Sequence, residues 1–382
     1  MHVVQALVSL NLGGSELVAT ELSEYLSQAG HRVTVIASGG GPLQQRINTC
    51  SATHLDWAIG QKRLSVLTHI RRLARWLKQE RPDILHAHSR LPAWVCWLAI
   101  RQLEPARRPV FITSVHGHYS VNRYSAIMTR GDRVVAVSEH IREYVLRNYA
   151  VADDPAKLVT IPGGTSPGAF PFGYRPDPRW FSNTFNEFPE LRGKRLLCLP
   201  GRLARYKGHS VFIELIAALR DEYPDLHGVV IGKARPGSRF RNELEGLAER
   251  SGIPDRITFT GARVDIRDWL AAAEIVFSLC SDPPEAFGRT VPEALRLGIP
   301  VIGWNHGGVQ EVLAEMFPRG AVPPDNPAEL LKRTLDFLQN PPRVTPSTAY
   351  LLEDSMSRTL QLYQSAIRRG NSTGSPGTEV SP

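Results

Sequence analysis

The sequence predicts an α/β protein with two doubly wound domains that face a central cleft, on three observations. The chain has 382 residues, more than one hydrophobic core usually organises, so we expect two domains. Short apolar runs alternate with longer amphipathic stretches in both halves, which is typical of parallel sheets covered by helices. A segment rich in Pro, Gly and aromatic residues, about 162–190, separates the two halves and is predicted to connect them.

The individual elements follow from apolar runs bounded by turn residues and from helical periodicity. Strands of the first half are predicted at 3–10, 32–37, 83–87, 110–114 and 133–137, and a helix at 15–28. The second half is predicted to contain strands at 196–199, 228–231, 257–259, 275–278 and 300–302. Its helices are predicted at 209–222, 241–251, 266–272, 290–297 and 328–339. A last amphipathic stretch covers about 346–368.

These elements set the predicted domain boundaries. We expect a first domain over 1–165, a linker over 166–192, a second domain over 193–343, a helix over 344–369 that returns to the first domain, and a disordered tail over 370–382.

Composition narrows the class of protein. The net charge is +8, and residues 1–170 carry 19 Lys/Arg against 12 Asp/Glu, so an anionic partner of the first half is expected. No motif that reads nucleic acid accompanies this charge, and we predict no nucleic-acid partner.

The four cysteines form no C-x-x-C pair, which favours a reducing compartment. No secretory signal and no run of eighteen apolar residues is visible, so a cytoplasmic location is expected.

The most informative segment is 284–295, PEAFGRTVPEAL. It places a carboxylate, Glu285, in a loop after a buried strand and a second, Glu293, in the first turn of a predicted helix that begins near Thr290. Backbone N–H groups at a helix start form an anion site, and Gly288 lets a ligand approach closely. Two acids beside that site suit the vicinal hydroxyls of a sugar. An acid pair that only stabilises the helix dipole is the structural alternative.

A cationic loop, 200–208 (PGRLARYKG), follows the strand predicted at 196–199. Arg202 and Lys207 there can neutralise a diphosphate and stabilise it as a leaving group. The alternative is two solvated surface cations. Near the start of the chain, Gly13 and Gly14 open a helix after the first strand and permit a ligand to touch the backbone, although no G-x-G-x-x-G pattern is present.

The arrangement P-E-A-F-G-x-x-x-P-E-A-L-x-x-G-I-P-V resembles the donor-binding segment of retaining family-4 glycosyltransferases, which have two Rossmann-like domains in the GT-B fold. The resemblance extends over nearly the whole chain and is strongest over 196–312. The sequence as a whole is similar to those of bacterial enzymes that extend lipopolysaccharide core and other cell-surface glycans. Departures are Gly163-Gly164 where the family often has Asn-Gly, and 231–237 where it often has a G-x-G turn.

The resemblance implies roles for particular residues. It places Glu285 at the hydroxyls of the donor sugar, Glu293 at the ribose, and Arg202 and Lys207 at the diphosphate. The backbone around Ala286, Phe287 and Gly288 would face the sugar, that around Arg289 and Thr290 the phosphates, and Gly13 and Gly14 would lie across the cleft from them. Glu311, in the G-G-x-x-E element, is interpreted as a scaffold residue.

Histidines cluster at two predicted strand ends, in His86-Ala87-His88 and His116-Gly117-His118. A metal site is conceivable, but no carboxylate or cysteine stands at ligand spacing, and we predict none. The resemblance implies that His116 meets the transferred sugar or the acceptor. His86 and His88 are interpreted as packed structural histidines, and His118 is left open.

The stretch 62–78 has a helical period, with Leu67, Ile70, Leu73, Ala74 and Leu77 on one apolar stripe flanked by basic residues. It is predicted to pack on the sheet, with a second hypothesis that its basic face and Trp76 contact an anionic membrane surface.

The predicted function is transfer of a hexose from a nucleotide diphosphate sugar to a glycan or lipid-linked acceptor, with retention and with no cofactor or metal. The alternatives are a nucleotide-sugar epimerase or glycan phosphorylase of the same fold, and a non-catalytic carbohydrate- or nucleotide-binding protein.

Overall fold

The computed structural model describes residues 1–61, 66–149 and 154–372. The described residues form two compact units. The first contains Met1–Gly163 together with the described residues from Glu353 onward, and the second contains Gly164–Leu352. Each unit is a parallel sheet with covering helices, so the predicted α/β class with two doubly wound, Rossmann-like domains is confirmed.

The first unit carries a seven-stranded sheet in its described residues. Its strands are β1 (His2–Ser9), β2 (Arg32–Ser38), β3 (Thr53–Asp56), β4 (Ile84–Ala87), β5 (Val110–Val115), β6 (Arg133–Ala136) and β7 (Leu158–Thr160). Its helices before β7 are α1 (Gly14–Gln28), α2 (Gln44–Thr49), α3 (Val66–Glu80), α4 (Arg90–Ile100) and α5 (Glu139–Asn148). The strands run parallel in the order β3-β2-β1-β4-β5-β6-β7.

The second unit carries a six-stranded parallel sheet in the order β10-β9-β8-β11-β12-β13. Its strands are β8 (Arg195–Pro200), β9 (Leu226–Ile231), β10 (Ile257–Gly261), β11 (Ala273–Ser278), β12 (Val301–Trp304) and β13 (Ala321–Val322). Its helices are α6 (Pro178–Glu187), α7 (His209–Leu219), α8 (Phe240–Arg250), α9 (Ile266–Ala272), α10 (Thr290–Leu297), α11 (Gly307–Met316) and α12 (Pro327–Gln339). The last helix of the chain, α13 (Leu352–Ser372), begins at the boundary between the units.

Helix α6 lies inside the segment that the sequence predicts as a linker, and this prediction of an irregular connection is wrong for Pro178–Glu187. Asp177 caps the helix by accepting a hydrogen bond from the Arg179 N–H at 2.7 Å, and Pro178 takes the first helical position. Trp180 packs edge-on against the buried Trp269 with ring centroids 5.2 Å apart. The aromatic residues of the segment therefore belong to a packed helix.

The C-terminal helix differs from its predicted range at both ends. It begins at Leu352 and continues to Ser372, so residues 370–372 are helical where the sequence predicts a disordered tail. The rest of that predicted tail, 373–382, lies outside the described residues. Near its start, the Thr165 N–H donates to the Tyr350 carbonyl at 2.9 Å and the Leu352 N–H donates to the Thr165 carbonyl at 3.1 Å, which pairs the two segments at the ends of the second unit.

The strand orders create one switch point in each sheet. In the first sheet, β2 and β3 follow β1 toward one edge, and β4 then pairs with the other side of β1. In the second sheet, β8 and β11 have the same relation. In open α/β sheets, ligands bind beyond the carboxyl ends of the strands at such a point. Among the described residues, no helix combines the length and the apolar character needed to cross a bilayer.

Candidate active site

The loops after β8 and β11 meet at the switch point of the second sheet. The Ser281 N–H donates to the Tyr206 carbonyl at 2.8 Å. Gly208 has a φ of 77°, and a Cβ there would stand 2.2 Å from the Leu279 carbonyl oxygen. Glycine is therefore required where the two loops touch, and it directs Lys207 toward the second loop.

Lys207 and Glu285 form an ion pair between these loops. The side chain of Lys207 is 20% exposed and that of Glu285 is 25% exposed, so water screens the attraction between the two charges only weakly. Burial acts to lower the pKa of Lys207, but the opposite charge of Glu285 outweighs it and raises the pKa above its ordinary value. The ammonium group therefore stays charged at neutral pH, and it holds the carboxylate of Glu285 in place.

Arg202 stands at the solvent side of the same loop. Its Nη2 donates to the Tyr206 hydroxyl at 2.8 Å, and the Lys207 Nζ lies 5.7 Å from the centre of the Tyr206 ring. Tyr206 thus orders two cations, a role that the sequence did not predict. A cavity of about 270 Å³ lies beside this loop, with Arg202, Arg235 and Arg239 in its lining, together with Arg205, whose charge is offset by its ion pair with Glu243. This is an environment for an anion.

Helix α10 begins at Thr290, as predicted, directly after the second loop. The first N–H groups of a helix lack intrahelical partners and carry partial positive charge. Gly288 has a φ of 80°, and a Cβ there would stand 2.8 Å from the Val309 side chain. The loop therefore turns sharply into the helix start, beside Glu285 and Lys207.

Glu293 is 5% exposed and accepts a hydrogen bond from the Arg289 Nε at 3.3 Å. The predicted ribose contact of Glu293 stays a prediction, and a ribose there would share the carboxylate with Arg289. Phe287 is 7% exposed and packs on the Tyr350 ring at 5.6 Å, so its side chain supports the loop. Ala286 precedes it in the same loop.

The paired glycines Gly307 and Gly308 hold this loop from behind. The Gly308 N–H donates to the Glu285 carbonyl at 2.8 Å. A Cβ at Gly308 would stand 2.3 Å from the Ala286 carbonyl oxygen, and one at Gly307 would stand 2.7 Å from that of Glu285. The two glycines therefore support the loop through backbone contacts, and the scaffold role of Glu311 stays a prediction.

Gly13 and Gly14 lie in the first unit, at the start of α1 and beyond the carboxyl end of β1. A Cβ on Gly14 would meet no atom within 4 Å, whereas one on Gly13 would stand 2.3 Å from the Glu16 carboxylate. The space above Gly14 is open, as a backbone contact with a ligand requires.

His116, which is partly exposed, also lies in the first unit, just after β5, and contacts a network of buried polar side chains. Its Nε2 is 3.0 Å from the His88 Nδ1, and the His88 Nε2 is 2.7 Å from the Gln5 Oε1. The His86 Nδ1 is 2.6 Å from the Tyr363 hydroxyl, and its Nε2 is 2.7 Å from the Ser114 hydroxyl. His86 and His88 are each 1% exposed, in agreement with their interpretation as packed, hydrogen-bonded residues.

Burial sets the charge of these histidines. It lowers the pKa of His116 to about 4 and that of His86 to about 3, and it holds the pKa of His88 well below its ordinary value. All three imidazoles are therefore neutral near pH 7. His118, left open by the sequence, pairs with His140 through their Nε2 atoms at 2.8 Å. Within the described residues, no group of three or more His, Cys, Asp or Glu side chains has the arrangement of a metal site.

Helix α3 buries Ile70, Leu73, Ala74 and Leu77, as predicted, whereas Leu67 in its first turn is 65% exposed and does not join the stripe. Trp76 packs edge-on against His2 and Trp57, at 5.9 and 6.2 Å between ring centroids. The indole therefore contributes to the packing of the first unit. Residues 62–65, which begin the predicted basic stretch, lie outside the described residues.

The structure thus brings together Arg202, Lys207, Glu285 and the start of α10 at one switch point of the second unit. Gly13, Gly14 and His116 lie in the first unit, at loops that follow β1 and β5. The sequence carried no clear signal for Tyr206 or Tyr363. Tyr206 contacts Arg202 within the same loop, but no motif marks that contact, and Tyr363 meets His86 across 277 residues of chain.

Two family models match the chain. Glycosyltransferase Family 4 matches residues 12–168, and Glycosyl transferases group 1 matches residues 182–349. Together they extend over the first sheet from β2 onward, over the second sheet and over the loops of the candidate site. The chain belongs to the family-4 glycosyltransferases of the GT-B fold.

Curated relatives are about a quarter identical to this chain over the regions that align. The lipopolysaccharide core biosynthesis mannosyltransferase LpsB of Rhizobium meliloti is 26% identical over 180 residues, which are 44% of this chain and 51% of that protein. One subunit of the human phosphatidylinositol N-acetylglucosaminyltransferase is 24% identical over 80% of this chain and 62% of its own length. The matched regions thus span less than two thirds of these two relatives.

Solved structures share the fold. A glycosyltransferase from Rickettsia africae has a TM-score of 0.78 at 24% identity and covers 96% of this chain and 98% of its own. HepE of Anabaena, in complex with UDP-glucose, has a TM-score of 0.73 at 19% identity, with 98% and 99% covered. WaaG, a glycosyltransferase involved in lipopolysaccharide biosynthesis, has a TM-score of 0.67 at 14% identity, with 98% and 100% covered.

Proposed function

We propose that this protein transfers a hexose-type sugar from a nucleotide diphosphate sugar to a glycan or lipid-linked acceptor, with retention of configuration at the anomeric carbon. The observation that carries the proposal is the Lys207–Glu285 ion pair between two loops, beside Arg202 and the start of α10. Cation, carboxylate and helix start are what a diphosphate attached to a polyol requires. Family membership supports the same activity.

The chemistry follows from where the charges stand. When the bond between the anomeric carbon and the diphosphate oxygen breaks, negative charge develops on the leaving diphosphate. Lys207, Arg202 and the N–H groups at the start of α10 stabilise that charge. Lys207 has three N–H donors, so it can keep its bond to Glu285 while it binds a phosphate oxygen. Glu285 accepts hydrogen bonds from the hydroxyls of the sugar, and Glu293 from those of the ribose.

Retention is proposed through attack on the same face as the departing diphosphate. The acceptor oxygen bonds to the anomeric carbon as the diphosphate leaves, and the acceptor proton passes to the diphosphate oxygen. Since the positive groups that stabilise the leaving group are Arg202, Lys207 and backbone N–H, the reaction is proposed to need no metal ion. A chelator is then expected to leave the rate unchanged.

The acceptor is proposed to belong to lipopolysaccharide core or a related cell-surface glycan, assembled at the cytoplasmic face of the membrane. LpsB and WaaG, which resemble this chain, are named for that biosynthesis. The basic excess of residues 1–170 suits a phosphorylated or membrane-held acceptor. The exposed cations of α3, Arg71, Arg75 and Lys78, are a proposed contact with anionic headgroups.

The proposal is tested with a panel of UDP- and GDP-hexoses. The correct donor is expected to raise the melting temperature, because it binds only the folded protein. That donor is then incubated with truncated lipopolysaccharide cores, and release of nucleoside diphosphate and the anomeric configuration of the product are measured. We expect release that depends on the acceptor and a product with the configuration of the donor.

Other outcomes identify the alternatives. Conversion of the donor to its epimer without an acceptor would identify an epimerase, and binding without turnover on any acceptor would identify a binding protein. Failure of every nucleotide sugar to raise the melting temperature would contradict the proposed function.

A further inference from the structure

One face of the first sheet holds a continuous chain of polar side chains at its switch point. Its members are Gln5, His86, His88, Ser114, His116 and Tyr363. Gln5 and His86 are register partners on β1 and β4, and His88 lies two residues further on, so the three share a face. Tyr363 reaches them from α13 and is fully buried.

A polar chain in this place is costly, because the interior of such a sheet is normally aliphatic. A buried polar group without a partner costs about 1–3 kcal/mol. Here the ring nitrogens of His86 and His88, the Gln5 amide and the Tyr363 hydroxyl all have partners. A complete network of this kind fixes one arrangement of its protons.

The Gln5 amide sets the direction of that arrangement. Its Oε1 can only accept a hydrogen bond, and it lies 2.7 Å from the His88 Nε2, which must therefore carry a proton. Since His88 is neutral, its Nδ1 is a bare acceptor. The His116 Nε2, 3.0 Å from that Nδ1, must then be the donor.

The other branch is consistent with the same direction. The Gln5 Nε2 donates to the Tyr363 oxygen at 3.3 Å, which leaves the phenolic proton for the His86 Nδ1 at 2.6 Å. His86 is neutral, so its Nε2 carries a proton and donates to the Ser114 hydroxyl at 2.7 Å. Each proton assigned in these two branches thus lies between one donor and one acceptor.

We propose that Gln5 and His88 are positioning residues that hold His116 in the tautomer with its proton on Nε2 and a lone pair on Nδ1. The Nδ1 atom then accepts a hydrogen bond from a hydroxyl group of the substrate. This inference rests on the proposed function in one respect, namely that the hydroxyl belongs to a sugar donor or acceptor.

The assigned tautomer selects among ligand groups. A lone pair at Nδ1 attracts a hydroxyl and repels a phosphate or carboxylate oxygen, which can only accept. Burial lowers the pKa of His116 to about 4, so the imidazole is a weak base. It therefore orients a hydroxyl that does not react, while the proton of the attacking acceptor hydroxyl passes to the diphosphate oxygen.

The tautomer is measured directly on protein labelled with ¹⁵N-histidine, at neutral pH, by two-bond ¹⁵N–¹H correlation. The chain has 12 histidines, and the resonance of His116 is assigned from its absence in His116→Gln. We expect a protonated Nε2 and an unprotonated Nδ1. A protonated Nδ1, or a mixture of both forms, would overturn the inference.

Two substitutions of His88 separate positioning from packing. The Oδ1 atom of His88→Asn can stand where Nδ1 stood and accept from His116, so this variant is expected to keep the tautomer. His88→Phe has no acceptor, and its His116 is expected to show both tautomers. We expect kcat to fall about 10- to 100-fold in His88→Phe, through a misplaced hydroxyl, and to recover largely in His88→Asn. Equal tautomer populations in the two variants would contradict the positioning role.

The failure of this inference differs from the failure of the proposed function. The tautomer is read without substrate, so a protonated Nδ1 overturns the inference in an active enzyme. Conversely, a chain that transfers no sugar can still show the expected tautomer, and then only the proposed function fails.

Discussion

Arg202 and Lys207 stand in one loop with a third cation, Arg205, that provides a matched control. Arg205 is 73% exposed and pairs with Glu243, away from Glu285. If Arg202 and Lys207 stabilise the leaving diphosphate, replacing either by Ala removes that stabilisation from the transition state. We expect kcat to fall about 100- to 1000-fold in each variant. Steady-state rates of nucleoside diphosphate release measure this.

The control variant shows whether such a loss of rate is specific to Arg202 and Lys207. Arg205→Ala is expected to retain the wild-type rate, and circular dichroism is expected to show all three variants folded. Wild-type turnover in Lys207→Ala would contradict the assignment of the donor site.

Gly308 supports the Glu285 loop through contacts that no side chain can replace. A Cβ there would stand 2.3 Å from the Ala286 carbonyl oxygen, so Gly308→Ala must displace the loop. We expect about a tenfold or greater loss of nucleotide-sugar affinity, measured by calorimetry, because the carboxylate and the helix start move together. The control is Gly246→Ala in α8, where the nearest atom is the flexible end of Arg250. Unchanged affinity in Gly308→Ala would show that the loop does not depend on this contact.

At the scale of elements, α10 is held at its far end by a buried arginine. The Arg296 Nε donates to the Thr165 hydroxyl at 2.6 Å, and its Nη1 and Nη2 donate to the carbonyls of Ser347 and Ala349 at 3.0 and 2.5 Å. Arg296 is 6% exposed, and burial lowers the pKa of its guanidinium. Helix α10, which begins at the proposed donor site, is thereby bonded to both segments at the ends of the second unit.

Arg296→Met keeps the length of the side chain and leaves the buried Thr165 hydroxyl and the two half-buried carbonyls without this donor. We expect the free energy of unfolding to fall by about 1–3 kcal/mol, because each unsatisfied buried group carries a desolvation cost. Urea denaturation measures it. Arg179→Met, at an exposed position of α6, is the control and is expected to change stability by less than about 0.5 kcal/mol. An equal loss of stability in the two variants would contradict the stabilising role of the Arg296 hydrogen bonds.

The sequence predicted elements best where one periodicity dominated. Helices α9 and α10 have the predicted bounds, because each is a short apolar-periodic run between clear turn signals. Helix α6 was missed, because its aromatic residues resemble an irregular segment until Trp269 is there to receive them. Helices α4 and α5 were not predicted either, and α4 is apolar on most sides, so that it shows little helical periodicity.

Site residues were predictable from the sequence to the extent that a local pattern carries them. Glu285, Lys207 and the start of α10 come from motif and helix-start signals within a few residues. Gln5 bonds Tyr363 across 358 residues of chain, and Tyr363 bonds His86 across 277, so no local pattern indicates these contacts.

At the scale of the whole molecule, buried neutral histidines couple stability to pH. Burial lowers the pKa of His86 to about 3 and of His116, His209 and His227 to about 4, below the 6.5 of an exposed histidine. Between pH 6.5 and 4 the unfolded chain binds these protons and the folded chain does not. The contribution of these neutral histidines to the free energy of unfolding is therefore fully present above pH 6.5. It is lost progressively as the pH drops toward 4.

This loss is expected to reach about 1.4 kcal/mol per pH unit for each histidine. Chemical denaturation at several pH values measures the slope. His227→Gln, whose amide can stand where Nε2 stood and keep a bond to Thr258, is expected to reduce the slope by the contribution of one histidine. A free energy of unfolding that is constant from pH 6.5 to 4 would contradict the account of the buried imidazoles.

The central claim is that Lys207 holds the diphosphate and Glu285 the attached sugar, and calorimetric binding of a nucleoside diphosphate and of its nucleotide sugar tests it most directly. We expect Lys207→Ala to weaken both ligands about tenfold or more, since both contain the diphosphate. Glu285→Gln is expected to weaken the nucleotide sugar and to leave the nucleoside diphosphate within about twofold of wild type. Equal affinities of wild type and Lys207→Ala for the nucleoside diphosphate would contradict the claim.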